Sequence, residues 1–241
     1  AYLSWLDRVF ERYPELIIEN CSSGGLRMDY GMLSRCSIQS TSDQENYLQY
    51  AVIAANAPAG VTPEQAAVWA YPMNHEEAIS PDALREEVIF NMVSAMLLRI
   101  HQSGHLAKLD AERKALVKQA LDIYKTIRQD IRISRPFWPL GLAGYSDEIV
   151  SLGLFVEGKA YLAVWKRGGN ADCVTLPVSA AVRNALGCEE LSITCIYPDR
   201  ESADAVYDPV QKAVKAALPK PVMARLFELK PAFEKADAKN S

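Results

Sequence analysis

The sequence predicts an α/β fold: the C-terminal half of a (β/α)8 (TIM) barrel over residues 1–140, then a small antiparallel β-sandwich over residues 141–241. Two observations carry this. Up to about residue 135 helical patterns alternate with short apolar runs, as parallel βα units do. Beyond Arg135-Pro136-Phe137-Trp138-Pro139 the periodicity changes to two apolar runs around Glu157-Gly158, a strong hairpin signal.

The elements follow in order. Leu3, Leu6, Val9, Phe10 and Tyr13 recur at helical spacing, so the chain opens in a helix. Leu16 to Asn20 reads as a buried strand running into a Ser/Gly loop, Cys21 to Gly25. Ser37 to Ser42 is a second strand, followed by a helix from Gln44 to about Asn56. Ala66 to Tyr71 is a third strand, closed by Pro72. Asp82 to Met96 reads as a helix and Leu97 to Ile100 as a fourth strand. Asp110 can cap a long helix whose buried face is Leu116, Ala120, Ile123, Tyr124, Ile127 and Ile131. About four βα units make half a barrel with two open sheet edges, from which an N-terminal part of the same protein is expected to be missing. The sandwich is expected from strands at Ile149–Val156, Lys159–Lys166, Asp172–Val178, Leu191–Tyr197 and Val222–Leu229.

Composition narrows the partners. The 241 residues are 49% hydrophobic and 23% charged with a net charge of −4, the make-up of a globular domain. Acids and bases are mixed, so no basic stripe offers a nucleic-acid surface, and no apolar run is long enough to cross a membrane. Five scattered cysteines, an odd number without framework spacing, read as reduced thiols and point to the cytoplasm.

One stretch concentrates chemistry: Cys21-Ser22-Ser23-Gly24-Gly25-Leu26-Arg27-Met28-Asp29-Tyr30-Gly31-Met32-Leu33, then Gln39-Ser40-Thr41-Ser42-Asp43. A Ser/Gly turn at a strand's carboxyl end lets main chain approach a ligand and offers N–H and hydroxyl donors. Asp43 falls at the end of the next strand, towards the same mouth. Pattern alone leaves other readings open: the loop as a simple turn, and Asp43 as the N-cap of the helix after it. His101 and His105 are four apart, but Ser103-Gly104 between them breaks a helix and no third ligand is apparent, so no metal is expected. Trp69 and Trp138 read as core or rim packing.

The stretch resembles the signature of glycoside hydrolase family 36, the α-galactosidases: Cys-Ser-Ser-Gly-Gly-Gly-Arg-x-Asp-x-Gly-Met-Leu and, further on, Trp-Thr-Ser-Asp. Pro63 to Pro72 is also similar to a segment of some bacterial members. The resemblance implies a retaining hydrolase of terminal α-linked galactose, with no cofactor and an α-galactoside oligosaccharide as partner, and it allows a homo-oligomer. It makes Asp43 the general acid/base, its pKa raised by burial and by a neighbouring nucleophile. It makes Cys21, Ser22, Gly24 and Gly25 the sugar-binding loop. The family's nucleophile lies in Lys-Trp-Asp-x-Asn, which this sequence lacks, so the chain alone is expected to be inactive. Arg27 and Asp29 read as a structural ion pair. Leu26 stands for the third Gly and Ser40 for the Trp, and both bear on which sugar is accepted. The alternatives are an α-glycosidase or galactosyl transferase of other specificity, or a non-catalytic carbohydrate-binding fragment.

Overall fold

A computed structural model describes residues 1–23, 25–72, 81–199 and 205–232. The first part alternates helices and strands: α1 (Tyr2–Arg12), β1 (Glu19–Asn20), α2 (Tyr30–Leu33), β2 (Ile38–Ser40), α3 (Tyr47–Asn56), β3 (Ala66–Ala70), α4 (Pro81–Met96), β4 (Arg99–Gln102) and α5 (Ala111–Ile133). The four strands form one parallel sheet in chain order, β1-β2-β3-β4. Parallel neighbours joined by helices put every strand's carboxyl end at the same edge.

Three boundaries differ from the sequence reading. The first strand keeps only Glu19–Asn20, because the chain turns at Tyr13–Leu16 and leaves Leu16 and Ile17 exposed. Helix α3 starts at Tyr47, where the Asn46 side chain accepts the Gln49 N–H. The fourth strand lies at Arg99–Gln102, since Leu97 and Leu98 complete the buried end of α4. Helix α5 is capped by Asp110 as expected and buries Leu116, Val117, Ala120, Ile127 and Ile131.

The second part is antiparallel. Strands β5 (Arg135–Phe137), β6 (Ile149–Val156), β7 (Lys159–Lys166), β9 (Leu191–Tyr197) and β12 (Met223–Pro231) form a five-stranded sheet of order β5-β6-β7-β12-β9. Strands β8 (Cys173–Pro177), β10 (Ala205–Asp208) and β11 (Ala213–Ala217) form a three-stranded one, and α6 (Ala180–Leu186) lies between β8 and β9 in sequence. Gly158 turns the β6–β7 hairpin at φ +78°. Gly153 is required by contact, because a Cβ there would lie 2.1 Å from Cε1 and Cζ of the Phe137 ring. Helix α6, with its Ser179 cap and Gly187 stop, and the β10–β11 pair went unread in the sequence.

Two apolar clusters divide the central sheet by face. Tyr161, Ala163 and Trp165 join α3, α4 and α5 in the larger cluster, while Leu162, Val164 and Phe227 join the three-stranded sheet and α6 in the smaller. Alternation on one strand therefore fills two cores. Polar ties cross the same seam: Trp165 donates to Ser94 (3.1 Å), Trp138 to the Ala55 carbonyl (2.7 Å) and Tyr161 to Asp130 (2.6 Å). Arg225 on β12 meets Glu86 on α4 at 2.9 Å, both buried.

Candidate functional site

The Ser/Gly loop leaves β1 and folds down on the end of β2. A Cβ at Gly25 would lie 3.2 Å from the Thr41 carbonyl oxygen, so only glycine lets the two segments approach this closely without a shift. Ser23 sits at φ +44°, a left-handed conformation uncommon for serine. Beneath the loop the buried Asn20 amide donates to Gln39 Oε1 (2.5 Å) and to the Arg27 carbonyl (2.8 Å). Loop and strand end are thus held as one piece. Cys21 is exposed, and Ser22 and Gly25 are half-buried. Gly24 lies outside the described residues.

Tyr50 of α3 anchors the turn that carries Asp43. Its hydroxyl lies 2.9 Å from Thr41 Oγ1, donates to the Ser42 carbonyl (3.1 Å) and accepts the Trp69 N–H (3.2 Å). Burial pushes its pKa up to about 12, so it stays a neutral hydroxyl. The sequence reading missed Tyr50; its only signal was its place on the buried side of α3. Asp43 itself is exposed, and among the described residues its carboxylate has no hydrogen-bond or ion-pair partner. The N-cap reading of Asp43 fails, because Asn46 caps α3.

The rest of the motif is structural. Asp29 caps α2 through the Met32 N–H (3.1 Å), and no Arg27–Asp29 ion pair forms, because a short-range cap engages the carboxylate first. A Cβ at Gly31 would meet Asp29 Oδ1 at 2.9 Å and Leu3 at 3.3 Å, which accounts for glycine there. Met32, Leu6 and Cys36 bury together, and burial raises the Cys36 thiol pKa. Leu26, in place of a glycine of the signature, is 79% exposed.

The face of the parallel sheet away from α3 and α4 is polar and aromatic. Ala66, Val68 and Ala70 join the core beneath, while Trp69, on the alternate side of β3, packs against that core only in part. On that face Glu19 of β1 reaches His101 Nδ1 of β4 at 3.6 Å. Flat neighbouring strands would put β1 and β4 about 14 Å apart, so this contact requires a sheet curled about its axis. Burial lowers the His101 pKa, with Glu19 opposing and Arg99 adding to the shift. His105 lies apart from His101, at the start of a short 3-10 turn. Among the described residues no group of three His, Cys, Asp or Glu side chains could hold a metal, and no helix is long and apolar enough to cross a membrane. All five cysteines are free.

The comparisons with known proteins agree with this layout. The family profile described as Melibiase matches residues 2–134. Among solved structures, a family 36 α-galactosidase variant from Geobacillus stearothermophilus in complex with raffinose is 21% identical, with a TM-score of 0.70 over 93% of this chain and 30% of that one. An α-galactosidase from Lactobacillus brevis is 18% identical, with a TM-score of 0.71 over 98% of this chain and 32% of that one. A debranching enzyme of Nostoc punctiforme is more distant, at 11% identity and a TM-score of 0.54 over 93% of this chain and 54% of that one. The chain therefore spans about a third of the length of the two α-galactosidases. No curated protein sequence matches it.

Proposed function

The chain belongs to the melibiase family, and on that premise we propose that it carries the acid/base half of a retaining α-galactoside hydrolase. The carrying observation is that the Cys21–Gly25 loop packs on Thr41 while Asn46 caps α3, which leaves the Asp43 carboxyl free at the carboxyl edge of the sheet. In this reading Asp43 protonates the leaving oxygen and later deprotonates water, and Cys21, Ser22, Gly24 and Gly25 bind the sugar. Retention needs a second carboxylate about 5–5.5 Å away. No Lys-Trp-Asp occurs in the sequence, so that group is assigned to a part of the same enzyme outside these residues. The curl of the parallel sheet and its strand order support half of a (β/α)8 barrel over residues 1–140. The two antiparallel sheets, the larger of which begins with β5 at Arg135–Phe137, support a β-sandwich after a boundary near residues 135–148. An α-galactoside oligosaccharide is the substrate proposed, and cysteine usage favours the cytoplasm.

The leaving group provides the test. In the enzyme completed by its nucleophile, Asp43→Ala is expected to slow hydrolysis of alkyl-linked galactosides about 10²–10⁴-fold. It should spare activated aryl galactosides, which need little protonation. Equal losses on both would remove the acid role. The 241-residue chain alone should bind galactose without turning over a galactoside; robust turnover would end the half-site reading.

A second reading, an α-glycosidase for another sugar, is favoured by one observation. Leu26 and Ser40 both depart from the signature beside the site, and hydrolysis of a panel of aryl α-glycosides separates the two.

A further inference from the structure

Ser40 stands where the signature has a tryptophan, yet the site is not short of aromatic surface. Ser40 is fully buried and pairs in register with Ala67, so it shares the helix-free face with Ala67 and Trp69. The Trp69 indole N–H donates to Ser40 Oγ at 3.1 Å. An indole at position 40 would need the space that the Trp69 ring occupies. Volume absent from β2 is thus returned from β3, one strand over.

The ring is held on several sides. Tyr71 lies nearly parallel to it, with centroids 6.4 Å apart and planes 19° apart. His101 meets it edge-on at 4.9 Å, and Glu19 lies behind His101. The main-chain N–H of Trp69 is bound by Tyr50, the same hydroxyl that fixes the turn before Asp43. Tyr71 continues the strip towards the mouth, where burial and the Glu45 and Asp43 carboxylates raise its pKa. Trp69 and Tyr71 both remain only half-buried. A half-buried aromatic strip ending beside a free carboxylate suits a sugar, which has an apolar C–H face and a polar rim.

We propose that Trp69 and Tyr71 form the aromatic wall of the sugar subsite, with Ser40 as the positioning residue that sets the indole plane. The inference rests on the reading of Asp43 as the acid/base of an α-glycoside site, and it gives Trp69 a role beyond packing. Ser40 and Trp69 then act as an exchanged pair, small on β2 and large on β3.

Binding of galactose and methyl α-galactoside to the 241-residue chain, followed by calorimetry and tryptophan emission, tests this. Trp69→Ala should weaken binding about tenfold, the factor that corresponds to about 1.4 kcal/mol. Trp69→Phe keeps a stacking ring without the indole N–H. It should hold binding within about threefold, roughly 0.7 kcal/mol, and abolish the ligand-induced emission change. The exchange Ser40→Trp with Trp69→Ser should recover affinity lost in Trp69→Ala. Ligand that binds the unaltered chain and a folded Trp69→Ala equally, or an emission change that persists in Trp69→Phe, overturns the wall and leaves Asp43 in place. No binding by the unaltered chain overturns the Asp43 reading and the wall together.

Discussion

The two parts of this molecule solve burial differently. Strands β6, β7 and β12 are eight or nine residues long, antiparallel, and covered on both faces by apolar neighbours. The parallel strands β1 to β4 are two to five residues long, and only one of their faces packs on α3 and α4. Their other face carries Glu19, Ser40, Trp69 and His101, polar or aromatic groups that contact one another. The first arrangement spends its side chains on packing. The second keeps groups at a shared edge where a ligand can reach them, which is where parallel α/β proteins place their chemistry.

If the antiparallel part supplies the stability, the largest loss should come from the seam rather than from the site. Glu86→Ala removes the buried carboxylate that meets both the Arg225 guanidinium and the Lys220 ammonium. A cost of about 3–5 kcal/mol in chemical denaturation is expected. A loss under 1 kcal/mol would mean that the two parts stand without this tie. Tyr50→Phe should cost less, about 1–3 kcal/mol, because Thr41, Ser42 and the Trp69 N–H lose a shared buried partner. It should also loosen the proposed galactose binding, since the same hydroxyl holds the Asp43 turn; unchanged binding would separate the anchor from the proposed site.

The smallest effect is expected on acidification. Burial holds the His101 pKa below its ordinary 6.5, so the unfolded chain takes up the proton first. The contribution of His101 is complete above about pH 6.5 and is lost as the pH falls through its folded value. Unfolding midpoints should be flat above pH 7 and drop towards pH 5, and His101→Gln should flatten that drop. An equal drop in both proteins would assign the acid sensitivity elsewhere.

Much of this was legible in residue order. The hairpin at Glu157-Gly158, the Asp110 cap and the strand at Leu191–Tyr197 lie where local pattern places them, because each is decided by neighbours in sequence. The β10–β11 pair was not legible, since Ala213–Ala217 owes its strand state to β8 on its other side. Nor was the first strand's true length, because Leu16 and Ile17 look buried only to a reader of hydrophobicity. The site divides in the same way. Cys21, Ser22, Gly25 and Asp43 stand out as a motif, whereas Tyr50 and His101 carry no local sign of what they touch.

By itself, then, the sequence determined the alternation of elements, the change of regime near residue 135 and the motif that ends in Asp43. All of these follow from local propensity, periodicity and turn chemistry. Only the tertiary structure decided that Asn46 rather than Asp43 caps α3, that Asp29 caps α2 instead of pairing with Arg27, and that Trp69 fills the space beside Ser40. Those outcomes depend on which side chains meet across strands. A competition among partners far apart in sequence is settled by geometry, which no local window contains.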